Sequence, residues 1–110
     1  MRYYEDMQHT SQNRLPPRAH YIPEGCAQHQ LLNGTWQFAF FPNGDAAGEP
    51  QQWAEIPVPA CWELHGYEAP NYSNVNYPFP VDPPYVPNEN PLGIYQRTFP
   101  VADDALRTYL

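Results

Sequence analysis

The sequence contains no lysine, and its five basic residues are all arginines. No Lys or Arg occurs between Ala19 and Gln96, although eight Asp and Glu residues fall within that window. Nucleic-acid backbones and anionic membrane surfaces are bound through cations. This scarcity of positive charge therefore excludes nucleic acid and membrane surfaces as partners, and it leaves a neutral polar ligand compatible with the chain.

Cysteine and long apolar runs are also scarce. The chain has two cysteines, Cys26 and Cys61, whereas small disulfide-rich secreted domains usually carry more. The first ten residues lack the apolar core of a secretory signal, and no run approaches the length that crosses a bilayer. We therefore expect a cytoplasmic protein in which both cysteines are free thiols.

The chain does have many prolines and aromatic residues. Its 110 residues allow one small domain, and 42% hydrophobic residues are enough for a core. Residues 1–30 are polar, with scattered apolar side chains, and we interpret them as an N-terminal arm. This arm either lies on the surface or docks on another domain or subunit. Residues 31–110 form the domain itself in this interpretation.

Three segments have the alternation that is typical of β-strands. Residues 35–41 place Trp36, Phe38 and Phe40 on one face, after the Asn33-Gly34 turn signal. Residues 53–58 and 93–101 predict two further strands. The prolines of the second segment confine it to a sheet edge or a strand end. The pattern therefore predicts an all-β fold with much loop.

The stretch from residue 57 to residue 99 is rich in proline and aromatic residues. Proline recurs too often for a helix, and disordered segments are poor in aromatic residues. Prolines also restrict the residues before them, which lowers the entropy lost on ordering. We therefore predict a long ordered loop that displays rings and amides, and long loops of this kind are often functional.

Four motifs carry a resemblance to a known family. They are L-L-N-G-T-W-Q-F-A-F-F at 31–41, V-P-A-C-W-E-L-H-G-Y at 58–67, Y-S-N-V-N-Y-P-F at 72–79, and P-P-Y-V-P-N-E-N-P-L-G-I-Y-Q-R-T-F at 83–99. Together they resemble the N-terminal, sugar-binding domain of the β-galactosidases of glycoside hydrolase family 2. The resemblance covers about two thirds of the chain. The first motif is shared across the wider family, and the other three are more specific.

The resemblance implies a jelly-roll β-sandwich, of which this chain forms an incomplete part. It also implies an intact enzyme that hydrolyses terminal β-D-galactosides such as lactose by a retaining mechanism, with two glutamates on a separate (β/α)8 barrel. The family enzymes use Mg²⁺ and Na⁺ and include homotetramers. We expect neither a catalytic residue nor a metal ligand in this chain, and no hydrolysis by the chain alone.

Within the Y-S-N-V motif, the resemblance implies that Asn74 hydrogen-bonds galactose hydroxyls and that Val75 lines the same site. An amide suits this task because it both donates and accepts hydrogen bonds. From spacing alone, Asn74 is a loop residue whose side chain hydrogen-bonds its own backbone.

Two alternatives to the enzyme fragment remain for the whole chain. One is a stand-alone carbohydrate-binding or interaction module without catalysis, and the other is a partial reading frame that does not fold stably.

Other residues suggest chemistry but have a simpler structural interpretation. His65 is more simply a structural histidine than an acid/base, and Trp62 more simply a core residue than a stacking face for sugar. Packing is also favoured over ligand contact for Tyr72. Glu63 and Glu68 resemble a carboxylate pair, but the resemblance places the catalytic pair elsewhere in the enzyme, so we reject them as that pair. The candidates for a Ca²⁺ site are interpreted as solvated groups: Asp82, Glu89 and Asn90.

Overall fold

The computed structural model describes residues 2–9, 11–17, 19, 21, 24–25 and 29–101. These residues contain three strands: β1 (Gly34–Phe41), β2 (Ala54–Val58) and β3 (Leu92–Gln96). The strands form one antiparallel sheet in the order β2-β1-β3. The all-β prediction is confirmed, whereas the jelly-roll arrangement and the boundary between arm and domain stay predictions.

Strand β1 lies at the centre of the sheet, as its aromatic alternation predicts. Phe38 is 1% exposed, and Ile56 of β2 is fully buried. Residues opposite each other in an antiparallel pair share a face. Because Trp36 pairs with Ile56 and Phe38 with Tyr95, one face of the sheet collects these four side chains. Burial of each large apolar side chain contributes on the order of 1.5 to 3 kcal/mol.

The two neighbours of β1 are both edge strands. Pro57 lies in β2, opposite Thr35 of β1, and its position on an edge strand confirms the expectation drawn from the prolines. The third strand was predicted to reach residue 101, and this prediction is wrong. It ends at Gln96. The guanidinium of the next residue, Arg97, donates to the carbonyl oxygens of Leu32 and Asn33, each at 2.9 Å.

Three short 3-10 turns lie outside the strands of the described residues. Tyr3–Glu5 and Gly44–Ala46 are such turns, and Trp62–His65 is a third, placed at the start of the connection from β2 to β3. Gly66 closes the third turn with a left-handed backbone (φ 83°), and the amide of Tyr67 donates to the carbonyl of Trp62 at 3.3 Å. This turn directs the rings of Trp62 and Tyr67 back onto the sheet.

Those two rings complete an aromatic cluster, here called the ring cluster and made of Phe38, Phe40, Trp62, Tyr67 and Tyr95. Phe38 lies 4.7 Å from Tyr67 and 4.7 Å from Tyr95, measured between ring centroids. Phe40 lies 5.6 Å from both Trp62 and Tyr67. These separations are typical of favourable aromatic pairs. The ring cluster therefore anchors the beginning of the long loop to the sheet.

Candidate functional site

Residues 69–83 of the long loop are here called the exposed loop. Every residue in it is exposed. Its upstream end follows Tyr67 of the ring cluster. Its downstream end is a turn in which the amide of Tyr85 donates to the carbonyl of Asp82 at 2.9 Å, and the next residue, Val86, donates its amide to the Glu5 carboxylate at 3.2 Å. Both ends are therefore fixed, and the segment between them projects toward solvent.

Asn74 lies in the turn at the middle of the exposed loop. Its Nδ2 donates a hydrogen bond to the hydroxyl oxygen of Tyr72 at 2.9 Å. An amide has two N–H donors and one carbonyl acceptor, so one donor and the acceptor remain for a ligand. Val75 follows it and is 76% exposed. Both residues predicted for the site are therefore accessible, and their contact with sugar stays a prediction.

Tyr72 does not pack, so the packing interpretation for this residue is wrong. It is 82% exposed and uses its hydroxyl to hold Asn74. The physical reason is that residues 69–83 pair with none of the three strands, so Tyr72 has no sheet face to pack against. Neither spacing nor composition indicated this bond, because two residues of a loop come together only through the local turn.

Trp62 behaves as predicted, as a core residue. Its ring centroid lies 6.0 Å from that of Phe38 and 5.6 Å from that of Phe40. Its indole Nε1 is buried and, among the described residues, has no hydrogen-bond partner. A buried donor of this kind is destabilising by about 1 to 3 kcal/mol. The packing of the ring must therefore outweigh this penalty.

The candidate acid/base groups do not assemble into a catalytic pair. His65 ends the turn Trp62–His65 and is exposed rather than packed, so its expected structural role is not seen. Glu63 and Glu68 are half-buried, and the structure places no hydrogen bond between them. The interpretation that these groups lack a catalytic function stays a prediction.

The acidic and amide side chains downstream of the exposed loop do not gather either. Asp82 and Glu89 are exposed. Asn90 uses its backbone carbonyl to accept a hydrogen bond from the amide of Gly44 at 2.7 Å. Over the described ranges, no three His, Cys, Asp or Glu residues lie together as metal ligands. The expectation that this chain holds no ligand of Mg²⁺ or Na⁺ stays a prediction.

A second constellation, which the sequence did not reveal, joins the N-terminus to the far end of the long loop. We call it the clasp: Arg2, Tyr4 and Glu5, with Asp45, Val86 and Asn88. Glu5 is buried and accepts a hydrogen bond from the amide of Val86 at 3.2 Å. The guanidinium of Arg2 donates to the Val86 carbonyl at 3.3 Å and to Asn88 Oδ1 at 2.9 Å.

Charge pairs complete the clasp. Arg2 forms ion pairs with Glu5 and with Asp45, and the Tyr4 hydroxyl donates to the Asp45 carboxylate. The hydrogen bonds from the amides of Val86 and Arg2 hold the pKa of Glu5 below its usual value of 4.5. The bond to Asp45 raises the pKa of Tyr4. The Arg2–Glu5 spacing is a weak local signal, and the 81-residue separation from Glu5 to Val86 gives none.

Two further predictions concern the cysteines and membrane-spanning segments. Cys61 is a free, exposed thiol, and Cys26 lies outside the described residues. Over the residues that the structure describes, no helical segment has the length and apolar character needed to cross a bilayer.

The chain is similar to one family model and to several β-galactosidases. Residues 29–109 match the model of the glycosyl hydrolases family 2, sugar binding domain. The β-galactosidase of Yersinia enterocolitica is 40% identical over 121 aligned positions, which cover 94% of this chain and 11% of that protein. The β-galactosidase of Oenococcus oeni is 46% identical over 87 positions, covering 72% and 8%. That of Pectobacterium atrosepticum is 48% identical over 83 positions, covering 68% and 8%.

The chain thus spans only about a tenth of the length of these curated relatives. The family match nevertheless covers more than half of the chain, and it includes all three strands, the ring cluster and the exposed loop. The chain belongs to the glycosyl hydrolase family 2 sugar-binding domains.

Proposed function

We propose that this chain is the N-terminal part of a β-galactosidase and that its exposed loop contributes to the galactose site. In this proposal Asn74 exchanges hydrogen bonds with sugar hydroxyls, and Val75 lines the same site. The intact enzyme hydrolyses terminal β-D-galactosides such as lactose by the retaining mechanism, in which two carboxylates flank the glycosidic bond. Both carboxylates belong to another part of the enzyme.

The observation that carries this proposal is the accessible Asn74 amide in a loop that is fixed at both ends. One amide donor is occupied by Tyr72, and the other donor and the carbonyl oxygen are directed to no partner within the described chain. A sugar hydroxyl both donates and accepts, so it matches these two free positions. No Lys or Arg occurs in the sequence between Ala19 and Gln96, which is also compatible with a neutral sugar.

The chain supplies binding geometry in this proposal, and the rest of the enzyme supplies the chemistry. The exposed loop presents rings and amides but brings no two carboxylates together. Mg²⁺ and Na⁺ are cofactors of the intact enzyme and are held by residues outside this chain. Assembly into a homotetramer, with the N-terminal arm at subunit contacts, is part of the same proposal.

Restoration of activity tests the proposal. The Yersinia enterocolitica β-galactosidase is shortened by the segment that aligns with this chain, mixed with the purified 110-residue chain, and assayed on lactose. We expect the mixture to hydrolyse lactose and the purified chain alone to hydrolyse none. In the mixture, Asn74→Ala should lower kcat/KM by about 5- to 150-fold, the range for an unpaired buried polar group.

Asn71→Ala is the matched control, because Asn71 is an exposed asparagine of the same loop. Equal losses for Asn71→Ala and Asn74→Ala would contradict the role of Asn74. Hydrolysis by the purified chain alone would contradict the location of the catalytic carboxylates. Binding of methyl β-D-galactoside by the chain, without restored activity, would instead favour a stand-alone carbohydrate-binding module.

A further inference from the structure

The structure assigns a positioning role to Tyr72: its hydroxyl oxygen holds the Asn74 amide in the orientation in which it meets sugar. This inference rests on the proposed function, because it concerns the same site. It begins from one contact, the 2.9 Å hydrogen bond from Asn74 Nδ2 to the Tyr72 hydroxyl. Both partners lie in the exposed loop, and the turn at residues 73–75 brings them together.

The two ends of an asparagine amide differ chemically, so orientation determines what the group offers. A free, solvent-exposed amide rotates and presents its nitrogen and oxygen in turn. When Nδ2 donates to Tyr72, the nitrogen end is held on the Tyr72 side and Oδ1 faces the opposite direction. Oδ1 then stands ready to accept from a sugar hydroxyl, while the second N–H remains as a donor.

Tyr72 is suited to this task because the hydrogen bond uses only an oxygen lone pair. The hydroxyl hydrogen stays free to donate, and the ring, which is 82% exposed, forms no packing contact that would compete. Holding a binding group in its bound geometry before the ligand arrives lowers the entropy lost on binding. The contribution of Tyr72 therefore acts through Asn74, and Tyr72 need not touch the sugar.

The test uses the 110-residue chain labelled with ¹⁵N, with the variants Tyr72→Phe, Asn74→Ala and Tyr77→Phe. Tyr72→Phe removes only the accepting oxygen. Tyr77→Phe is the matched control, since Tyr77 is an exposed tyrosine of the same loop. The side-chain amide signals of Asn74 are identified as those absent from the Asn74→Ala spectrum, and backbone signals report whether each variant is folded.

We expect the order parameter of the Asn74 side-chain amide to fall below about 0.6 in Tyr72→Phe, a value typical of flexible groups. It should stay unchanged in Tyr77→Phe. A wild-type value already below about 0.6, or an unchanged value in Tyr72→Phe, overturns the inference. A general loosening of the loop would lower the value in both variants, and this too overturns it.

A second measurement separates this inference from the proposed function. Titration with methyl β-D-galactoside is followed in the same spectra, and we expect Tyr72→Phe to weaken binding about 2- to 10-fold, the range for one lost hydrogen bond. If the Asn74 amide loosens in Tyr72→Phe while the wild-type chain shows no response to the sugar, the positioning role is supported and sugar binding by this chain is contradicted. Equal affinities of wild type and Tyr72→Phe overturn the positioning role.

Discussion

The ring cluster and the exposed loop both contain aromatic residues, but their rings differ in exposure to solvent. The ring cluster buries aromatic side chains against the sheet, with Phe38 at its centre. In the exposed loop, Tyr72, Tyr77 and Phe79 face solvent, although they are equally apolar. Hydrophobicity therefore does not decide which rings of this chain are buried.

The two regions differ in the backbone structure that carries their rings. Strand β1 points every second side chain to the same face, so Phe38 and Phe40 meet the same partners. The exposed loop pairs with none of the three strands and turns at residues 73–75, so its rings share no common face. The same molecule thus uses aromatic residues for stability in one region and leaves them accessible for contact in the other.

The largest expected effect comes from truncating a ring in the cluster. Phe38→Ala removes a ring that contacts Trp62, Tyr67 and Tyr95, and we expect it to lower the free energy of unfolding by about 3 to 5 kcal/mol. That is a large share of the stability of a small domain. Urea unfolding followed by tryptophan fluorescence measures the change.

Tyr77→Ala in the exposed loop is the control for Phe38→Ala. Surface substitutions away from specific contacts usually change the free energy of unfolding by less than about 0.5 kcal/mol. The contrast between the two regions fails if both truncations lower it by the same amount, because the loop rings would then be packed as well.

A smaller effect is expected at Gly93, where the sheet makes room for the ring cluster. A Cβ at this position would lie 2.8 Å from Phe38 Cε2 and would overlap the ring of Trp62. We expect Gly93→Ala to lower the free energy of unfolding by about 1 to 3 kcal/mol, as overpacking does. Near-UV circular dichroism should report the displaced rings.

Gly48→Ala is the matched control for Gly93→Ala, because a Cβ at Gly48 would meet no atom within 4 Å. We expect Gly48→Ala to leave the free energy of unfolding unchanged or to raise it by up to about 1 kcal/mol, since alanine restricts the unfolded chain. Similar losses in the two variants would show that Trp62 does not lie against Gly93.

The sequence predicts the sheet better than it predicts the contacts of the loops. The period-two pattern around Phe38 identifies β1 and its buried face, and Pro57 indicates an edge strand, because both features act locally. The end of β3 at Gln96 was missed, because the strand-like alternation of the sequence continues beyond it. The clasp was missed because Glu5 and Val86 lie 81 residues apart. The Tyr72–Asn74 bond is local, but it depends on the turn at residues 73–75, which neither spacing nor composition indicates.

The next prediction concerns the clasp, which holds the downstream end of the long loop at Val86. Glu5→Gln keeps the shape of the side chain but removes its charge, so the bonds to the Val86 amide and to Arg2 weaken. We expect a several-fold faster hydrogen exchange at the Val86 amide, with little change in the exchange of the β1 amides. Glu49→Gln is the control, because Glu49 is exposed and lies outside the clasp. Equal exchange rates in the two variants would mean that Glu5 does not hold the loop.

The smallest effect is a dependence of the clasp on pH. The folded chain holds the pKa of Glu5 below 4.5, so protonation favours the open clasp. The stabilisation from Glu5 is therefore fully present above about pH 4.5 and is lost as the pH falls through the lower, folded-state pKa. Asp45 is the other carboxylate that faces Arg2. We expect protection of the Val86 amide, corrected for intrinsic exchange, to decrease in this acidic range in wild type. Glu5→Gln should show a smaller decrease. If the two profiles have the same shape, the titration of Glu5 does not control the clasp, and the contrast between a fixed downstream end and a free exposed loop does not depend on Glu5.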